Sequence, residues 1–227
     1  MISKLNPIIF IPARGGSKRI KNKNMQKLGK KPLINFALQN ALKLSNIVFV
    51  STDDEKIASY SKKIGAEIHQ RPKYLSKDKS SIEDAAKHFL KKYENKFDKN
   101  QTIVILSACS PFITSKTITE GVKYYEKSNC DCLISAHKNY EDYWIQTKGK
   151  SKRLRKNEPR RQQDRVPYYI ENSAFYITNI NYLLNSNSLI EGSIEIFGIK
   201  TIEGFDINTL SDLQIARFIF QNKSKFK

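Results

Sequence analysis

The sequence predicts an α/β protein in which helices cover both faces of a mostly parallel central sheet. Short apolar runs rich in β-branched residues alternate with amphipathic stretches of helical length. The runs are continuously apolar, as expected for strands buried on both faces, and helical segments follow most of them. The 227 residues contain no repeat and no Pro/Gly/Ser-rich linker, so we predict a single domain over residues 1–227.

Strands and helices follow one another in chain order. The predicted strands are residues 7–13, 46–52, 66–70, 102–108, 131–137, 173–179 and 194–199. The predicted helices are residues 32–44, 54–64, 80–96, 115–127 and 209–222. Ser81 and Thr209 mark two helix starts, because each stands three residues before an aspartate in a pattern like a capping box.

Functional residues are expected at one edge of this sheet. In open α/β sheets, ligands bind beyond the carboxyl ends of the strands. That rule selects the loops at residues 13–24, 51–54, 71–80 and 107–113.

The net charge of +18 comes mostly from lysines spread through the whole chain. A solvated basic surface explains most of it, and attraction of a polyanionic nucleotide explains part of the rest. No nucleic-acid recognition signature is present, so no nucleic-acid partner is expected. No apolar run is long enough for a signal peptide or a membrane span, and the three cysteines lack C-x-x-C spacing. We therefore expect a cytoplasmic protein with no membrane association.

The loop after the first predicted strand, ARGGSKRIKNKN at residues 13–24, has the composition of a phosphate site. It matches neither the P-loop pattern nor the G-x-G-x-x-G fingerprint. Gly15 and Gly16 would let backbone amides approach an anion without a Cβ in the way. Arg14 offers a planar fork to phosphate oxygens, and Lys23 offers a compact charge. The alternative is a tight turn with solvated lysines.

Five blocks in this order resemble the acylneuraminate cytidylyltransferases, the family of CMP-sialic acid synthetases and related CMP-nonulosonate synthetases. The blocks are PARGGSK…KN (12–24), NIVFVSTDDEKIA (46–58), GAEIHQRPKYLSKDKSSIEDA (65–85), RRQQDRVPYYIENSAFYI (160–177) and GFDINTLSDLQIA (204–216). The resemblance implies a Rossmann-like nucleotidyltransferase fold. It also implies transfer of CMP from CTP to the anomeric hydroxyl of a nine-carbon 2-keto-3-deoxy sugar acid, with release of pyrophosphate and Mg²⁺ as cofactor. Two alternatives stay open: another sugar acid (legionaminic, pseudaminic or KDO-like), and a non-catalytic nucleotide- or RNA-binding relative.

The same resemblance assigns the site residues. The nucleotide would contact Arg14, Gly15, Gly16, Ser17, Lys23, Asn24, Arg71 and Ser80. The sugar would contact Ser107, Gln162, Glu171 and Asn172. Arg161 and Asp206 would act at the reaction centre, and Asp206 and Asn208 would bind Mg²⁺. A surface ion pair is the alternative role for each arginine, and helix capping is the alternative for Asp206.

Two positions depart from the family pattern. Asn208 stands where the family usually has the second aspartate of D-I-D; an amide oxygen can ligate Mg²⁺ but adds no charge, so weaker metal binding is expected. Ser107 stands where many members have glutamine. Its shorter side chain predicts a sugar other than ordinary N-acetylneuraminate, or a water-filled gap.

Residues 139–170 carry the single tryptophan, Trp144, among several tyrosines and many charges. The resemblance implies a protruding dimerisation arm here, which reaches the sugar site of a second copy of the chain, and hence a homodimer. The three histidines, His69, His88 and His137, are expected to serve packing or to lie on the surface.

Overall fold

The computed structural model describes residues 6–77 and 79–222. Its strands, in chain order, are β1 (Ile8–Pro12), β2 (Lys27–Leu28), β3 (Lys31–Pro32), β4 (Val48–Thr52), β5 (Glu67–Gln70), β6 (Thr102–Leu106), β7 (Cys132–Asn139), β8 (Trp144–Thr147), β9 (Lys150–Arg153), β10 (Tyr168–Asn179) and β11 (Ile194–Gly198). Its α-helices are α1 (Ile34–Leu44), α2 (Glu55–Ile64), α3 (Ile82–Lys92), α4 (Ser115–Tyr125), α5 (Ile180–Asn185) and α6 (Leu210–Gln221).

Seven of these strands form one sheet in the order β11-β7-β10-β6-β1-β4-β5. Strand β10 runs antiparallel to both of its neighbours, whereas the other pairs are parallel. The prediction of a mostly parallel α/β sheet is therefore confirmed. Because β10 is reversed, its first residues lie at the edge where the other six strands end.

Alternation along the strands divides the core between the two faces of the sheet. Ile9 and Ile11 of β1 pack with α1, α2 and α4 on one face. Ile8 and Phe10 pack with α3 and α5 on the other face, where Phe89 is fully buried. A third, smaller cluster joins α6 to the segment around β2. Helices thus cover both faces, as the continuous apolar strands predict.

Local signals fix several helix starts. Ser81 and Thr209 each form the predicted capping box, with Asp84 and Asp212. Asp54 caps α2 by accepting hydrogen bonds from the amides of Lys56 and Ile57. These caps begin helices right behind the loops at the carboxyl edge of the sheet.

The structure differs from the sequence prediction at element ends and in the short strands β2, β3, β8 and β9, which were not predicted. Strand β10 begins at Tyr168, five residues before the predicted strand. Helix α3 ends at Lys92, and the short 3₁₀ turn Glu94–Lys96 follows it. The six-residue helix α5 was not predicted, because it is too short to show a helical period. Among the described residues, no helix is long and apolar enough to cross a bilayer.

Candidate active site

A cleft of about 590 Å³ opens at the carboxyl edge of the sheet. It lies between the loop after β1, the loop after β5, the end of β6 and the segment before α6. The predicted site residues that line it are Arg14, Ser17, Lys23, Asn24, Arg71, Ser80, Ser107, Asp206 and Asn208. Predicted residues from four separate parts of the chain thus meet in one cavity.

The loop after β1 is fixed by polar contacts behind the cleft. The Gly15 amide donates to Asp53 Oδ1 (3.0 Å), and the Ser17 amide donates to the Gly15 carbonyl (2.9 Å). A Cβ on Gly15 would lie 2.7 Å from the Cβ of Asp54, so glycine permits this close approach. Because the Gly15 amide donates to Asp53, its hydrogen is already bonded within the protein. Around Gly16, in contrast, the space is open.

The cations of this loop border the cleft. Arg14 Nη1 donates to the Ser76 carbonyl (3.3 Å), and Asn24 Nδ2 donates to the Arg14 carbonyl (3.1 Å). Lys23 Nζ donates to the Ile207 carbonyl (2.7 Å). Lys23 therefore ties the basic loop to the segment that carries Asp206, and its ammonium lies between the two.

Arg71 is buried, yet its guanidinium lines the cleft. Its Nε and Nη2 donate to the hydroxyl and carbonyl of Ser51, both at 3.0 Å. Burial lowers the pKa of the guanidinium to about 10; nearby Asp53 opposes this shift and Arg14 adds to it. Arg71 remains a fixed cation at neutral pH. Ser80, also at the cleft, donates to the Tyr74 carbonyl (3.0 Å).

Asp206 presents an unpaired buried oxygen. Its Oδ2 accepts from Asn208 Nδ2 (2.6 Å), while its Oδ1 is buried with no hydrogen-bond partner among the described residues. The other end of the Asn208 amide, Oδ1, accepts from Arg19 Nη2 (3.1 Å). Asn208 therefore bridges a carboxylate and a guanidinium. Since a buried polar atom without a partner is costly, Asp206 Oδ1 is suited to an incoming donor or cation.

The opposite wall of the cleft contains hydroxyl groups. Ser107 Oγ accepts from the Cys109 amide (3.1 Å). Tyr176 donates its hydroxyl hydrogen to Glu171 Oε1, and its oxygen accepts from Ser173 Oγ (3.0 Å). Burial and the bond to Glu171 raise the pKa of Tyr176 above its ordinary value, so the phenol stays protonated. Ser173 has φ 54° in the irregular stretch of β10, a backbone conformation that residues other than glycine rarely adopt.

Six predicted site residues do not line the cleft: Gly15 and Gly16 of the basic loop, and four residues that lie elsewhere. Arg161 and Gln162 lie on the segment 139–170, where Arg161 is 74% exposed and lies 3.8 Å from Asp164. Glu171 is exposed and reaches the cleft only through its bond with Tyr176. Asn172 is buried behind the wall, where its Oδ1 accepts from the Ser135 hydroxyl (2.8 Å). Asn172 thus holds the irregular part of β10 in place.

The segment 139–170 is a structured projection, which we call the arm. Strands β8 and β9 form its hairpin. Asp142 at its base accepts from Arg153 (2.8 and 2.9 Å) and pairs with Arg165 (3.0 Å). The guanidinium of Arg155 stacks 3.5 Å from the centre of the Tyr168 ring. On its surface, Trp144 is 57% exposed.

Comparison of the chain with known proteins identifies its family. The family model described as cytidylyltransferase matches residues 8–226. The chain belongs to the cytidylyltransferase family. The resemblance read from the five sequence blocks is therefore confirmed at the level of the family.

Two relatives and one solved structure show how far the likeness to other cytidylyltransferases extends. An N-acylneuraminate cytidylyltransferase of Streptococcus agalactiae serotype V is 30% identical over 92% of this chain and 52% of its own length. The chain therefore spans about half of that relative. A CMP-N,N'-diacetyllegionaminic acid synthase of Campylobacter jejuni is 27% identical, over 94% of each protein. A CMP:2-keto-3-deoxy-manno-octonic acid synthetase structure with CTP superimposes with a TM-score of 0.71 at 17% identity, over 96% of this chain and 99% of that one. At that identity the likeness concerns the fold.

A Mg²⁺ ion fits the chemistry of this cytidylyltransferase cleft. Mg²⁺ is usually held by one or two carboxylates together with substrate phosphates and water. The described residues contain no group of three or more His, Cys, Asp or Glu side chains that could hold a metal. The unpartnered Asp206 Oδ1 supplies one hard oxygen ligand beside the basic loop. The Asn208 oxygen is already bonded to Arg19, and would have to leave it to become a second ligand.

Among the cleft residues that were not predicted as site residues are Arg19, Ser173 and Tyr176. Arg19 lies inside the basic loop, but its spacing from Asn208 in the chain gives no hint of their contact. The block at residues 160–177 resembles a family pattern E-N-G-x-x-Y in which Ser173 stands at the glycine position, and this departure was the available signal. Tyr176 matches the tyrosine of the same block, which could have marked it as a candidate.

Proposed function

We propose that this protein transfers CMP from CTP to the anomeric hydroxyl of a nine-carbon 2-keto-3-deoxy sugar acid and releases pyrophosphate. The observation that carries the proposal is the arrangement of the cleft. Fixed cations, Arg14, Lys23 and Arg71, border it beside a carboxylate with an unpartnered oxygen. Such a cavity suits a nucleoside triphosphate, and the family membership favours CTP.

The basic loop would hold the triphosphate. The fork of Arg14 and the ammonium of Lys23 neutralise phosphate oxygens, and the Ser17 hydroxyl adds a donor. Arg71 and Ser80, on the segment after β5, would contact the cytosine and ribose. Holding the α-phosphate between these groups fixes it for in-line attack, and this positioning supplies much of the catalysis in phosphoryl chemistry.

Asp206 would hold Mg²⁺ through its free oxygen, with Asn208 beside it. When bound, the ion neutralises charge on the triphosphate and on the departing pyrophosphate. The protein prepares this by keeping Asp206 oriented through Asn208 Nδ2. Lys23 is bonded to the carbonyl of Ile207, the residue after Asp206, so its positive charge is held near this segment.

The sugar acid would bind against the wall that contains Ser107, Ser173 and Tyr176. Its anomeric oxygen forms the new bond to the α-phosphorus while the bond to the β-phosphate oxygen breaks. The hydroxyl proton leaves to solvent, and the charge on the leaving group is neutralised by the cations of the loop. Ser107 leaves more room than the glutamine common in the family, which favours a bulkier substituent on the sugar.

We infer a homodimer in which the arm covers the sugar side of the second copy. Arg161 and Gln162 lie outside their own cleft but on an arm with an exposed apolar surface. In a dimer they would bring a cation and an amide to the partner's substrate. A cytoplasmic location agrees with the free thiols of all three cysteines.

The deciding experiment measures pyrophosphate release from each nucleoside triphosphate with a panel of nonulosonic acids and KDO. We expect release with CTP and one class of nine-carbon acid, and little with ATP, GTP or UTP. Arg14→Ala should raise the KM for CTP. Absence of release with every sugar, together with tight and salt-sensitive RNA binding, would refute the proposal and favour a non-catalytic relative.

A further inference from the structure

A chain of hydrogen bonds runs from Arg71 in the cleft to the outer side of α3. Ser51 and His69 lie opposite each other in the register of β4 and β5. Arg71 donates from Nε to Ser51 Oγ (3.0 Å), and Ser51 Oγ lies 2.9 Å from His69 Nδ1. On the far side of the imidazole, His69 Nε2 lies 2.9 Å from His88 Nδ1. Four polar side chains are therefore connected in a row.

One direction of donation uses every hydrogen that faces along this row, including the hydroxyl hydrogen of Ser51. A guanidinium nitrogen can only donate, so Ser51 Oγ accepts from Arg71. The single hydroxyl hydrogen of Ser51 is then free to point at His69 Nδ1, which must be the unprotonated nitrogen. His69 carries its hydrogen on Nε2 and donates it to His88 Nδ1. Every link is complete when His88 is neutral with its hydrogen on the outer nitrogen.

His69 occupies a place that an apolar side chain could fill. It is fully buried, and the rings of Phe10, Phe89 and Tyr93 lie within 6.5 Å of it. Burying an imidazole among aromatic rings is costly unless both nitrogens are hydrogen-bonded. Burial, followed by the charges of His88, Lys92 and Arg71, lowers the pKa of His69 to about 3, so it stays neutral. Its two bonds lead to Ser51 and His88, and through Ser51 to the cleft.

We propose that His69 and His88 are positioning residues for Arg71, and that protonation of His88 weakens nucleotide binding by reversing the hydrogen-bond chain. The inference rests on the proposed function, because it takes Arg71 as a ligand of CTP. Protonated His88 donates from both nitrogens, so His69 Nε2 has to accept. The His69 hydrogen then moves to Nδ1 and points at Ser51 Oγ. The Ser51 hydroxyl can no longer donate to His69, and the acceptor of Arg71 loses its fixed orientation.

The surroundings of His88 set the pH range. It borders a shallow depression lined otherwise by Gln70, Arg71, Pro72, Lys91 and Lys92, and the Tyr74 ring lies 6.4 Å away. These groups are neutral or cationic. Burial, then Lys92, lowers the pKa of His88 below its ordinary value. The chain is therefore intact at neutral pH, and affinity is lost in the acidic range, as the pH falls through the lowered pKa of His88.

The test uses two variants that keep the shape of His88 in different ways. Asparagine in His88→Asn keeps an acceptor near the Nδ1 position but cannot be protonated. Phenylalanine in His88→Phe keeps a ring but removes the acceptor. Titration calorimetry with CTP at pH 8 should give wild-type affinity for His88→Asn and about three- to tenfold weaker binding for His88→Phe. Thermal melting shows whether each variant is folded.

Repeating the titration at pH 5.5 tests the reversal. CTP itself gains protons in this range, but equally for both proteins, so the difference between wild type and His88→Asn reports on His88. Wild type should lose several-fold more affinity than His88→Asn. Nitrogen-15 NMR of the free wild-type protein should show the His69 hydrogen on Nε2 at pH 8. A hydrogen on Nδ1 at pH 8, or equal pH profiles, would overturn the inference.

The two proposals fail in distinguishable ways. Wild-type protein that binds no CTP at any pH overturns the proposed function, and this inference with it. Wild-type protein that binds CTP while both His88 variants match it overturns the positioning role alone. A drop in kcat with an unchanged KM for CTP in His88→Phe would also contradict a role through Arg71.

Discussion

Replacing Asn208 by aspartate should strengthen Mg²⁺ binding. In the structure, Asn208 Nδ2 donates to Asp206 Oδ2 at 2.6 Å, and Asn208 Oδ1 accepts from Arg19 at 3.1 Å. Asn208→Asp exchanges the amide nitrogen for a second carboxylate oxygen next to Asp206. Without metal, the two carboxylates then repel each other; with metal, the second carboxylate adds a negative charge to the site. Both effects favour the metal-bound state.

The expected gain is limited by Arg19. Two unit charges about 4 Å apart interact by about 4 kcal/mol at the effective dielectric constant of about 20 that suits sites near a surface. The guanidinium of Arg19 would pair with the new carboxylate and cancel most of that attraction. We expect about 1.4 kcal/mol to remain, which corresponds to a tenfold lower half-saturating Mg²⁺ concentration. Removing Arg19 in the same protein, with Arg19→Met, should increase the gain.

The assay is a Mg²⁺ titration of pyrophosphate release at saturating CTP and sugar. Asn185→Asp is the matched control, because it adds the same charge at an exposed position of α5, at the opposite edge of the sheet. It should leave the half-saturating concentration unchanged. If Asn208→Asp and wild type have the same half-saturating Mg²⁺ concentration, the reasoning that Asn208 weakens the metal site is refuted.

Three further predictions concern the loop, the wall and the arm. Gly15→Ala places a Cβ 2.7 Å from Asp54 Cβ, so urea unfolding should show a loss of about 1–3 kcal/mol; Gly16→Ala, in open space, should change stability by less than about 0.5 kcal/mol. Ser173→Gly should be more stable than Ser173→Ala by about 1 kcal/mol in the same assay, because φ at this position is 54°; equal stabilities would contradict the strain. Trp144→Asp, at a side chain 57% exposed, should shift sedimentation from dimer towards monomer while the melting temperature of the monomer stays unchanged; a monomeric wild type would contradict the dimer.

The central strands were predictable because their residues are apolar on both faces. Ile8 to Ile11 are fully buried, and no other arrangement hides four such residues in a row as well as the middle of a parallel sheet. Strand β10 was predicted only in its second half. Its first residues, Tyr168 to Glu171, alternate between half-buried and exposed, and an irregularity follows them, so they lack the apolar run that marks a buried strand.

The site residues that could be predicted are those that directly follow a predicted strand. Arg14, Lys23 and Arg71 follow strands that end at one edge, so the rule for open α/β sheets places them together. Contacts between distant segments left no trace in the sequence. Arg19 donates to Asn208, which is 189 positions away in the sequence. His69 of a strand contacts His88 of a helix. Two histidines that the sequence assigned to packing or surface are thereby connected to the nucleotide cleft.

The departures at Asn208 and Ser173 lie on opposite sides of the cleft and would affect different parts of the proposed reaction. Asn208 lowers the negative charge beside Asp206, and Arg19 lowers it further, so the triphosphate side of the cleft is more cationic than a pair of aspartates would make it. Ser173 adds a hydroxyl in contact with Tyr176 on the side where the sugar acid would bind, at the expense of a strained backbone. If both changes serve catalysis, Asn208→Asp should alter the Mg²⁺ dependence and leave the preference among sugar acids unchanged. Ser173→Gly should do the reverse, and a variant that moved both properties together would show that the two sides are coupled.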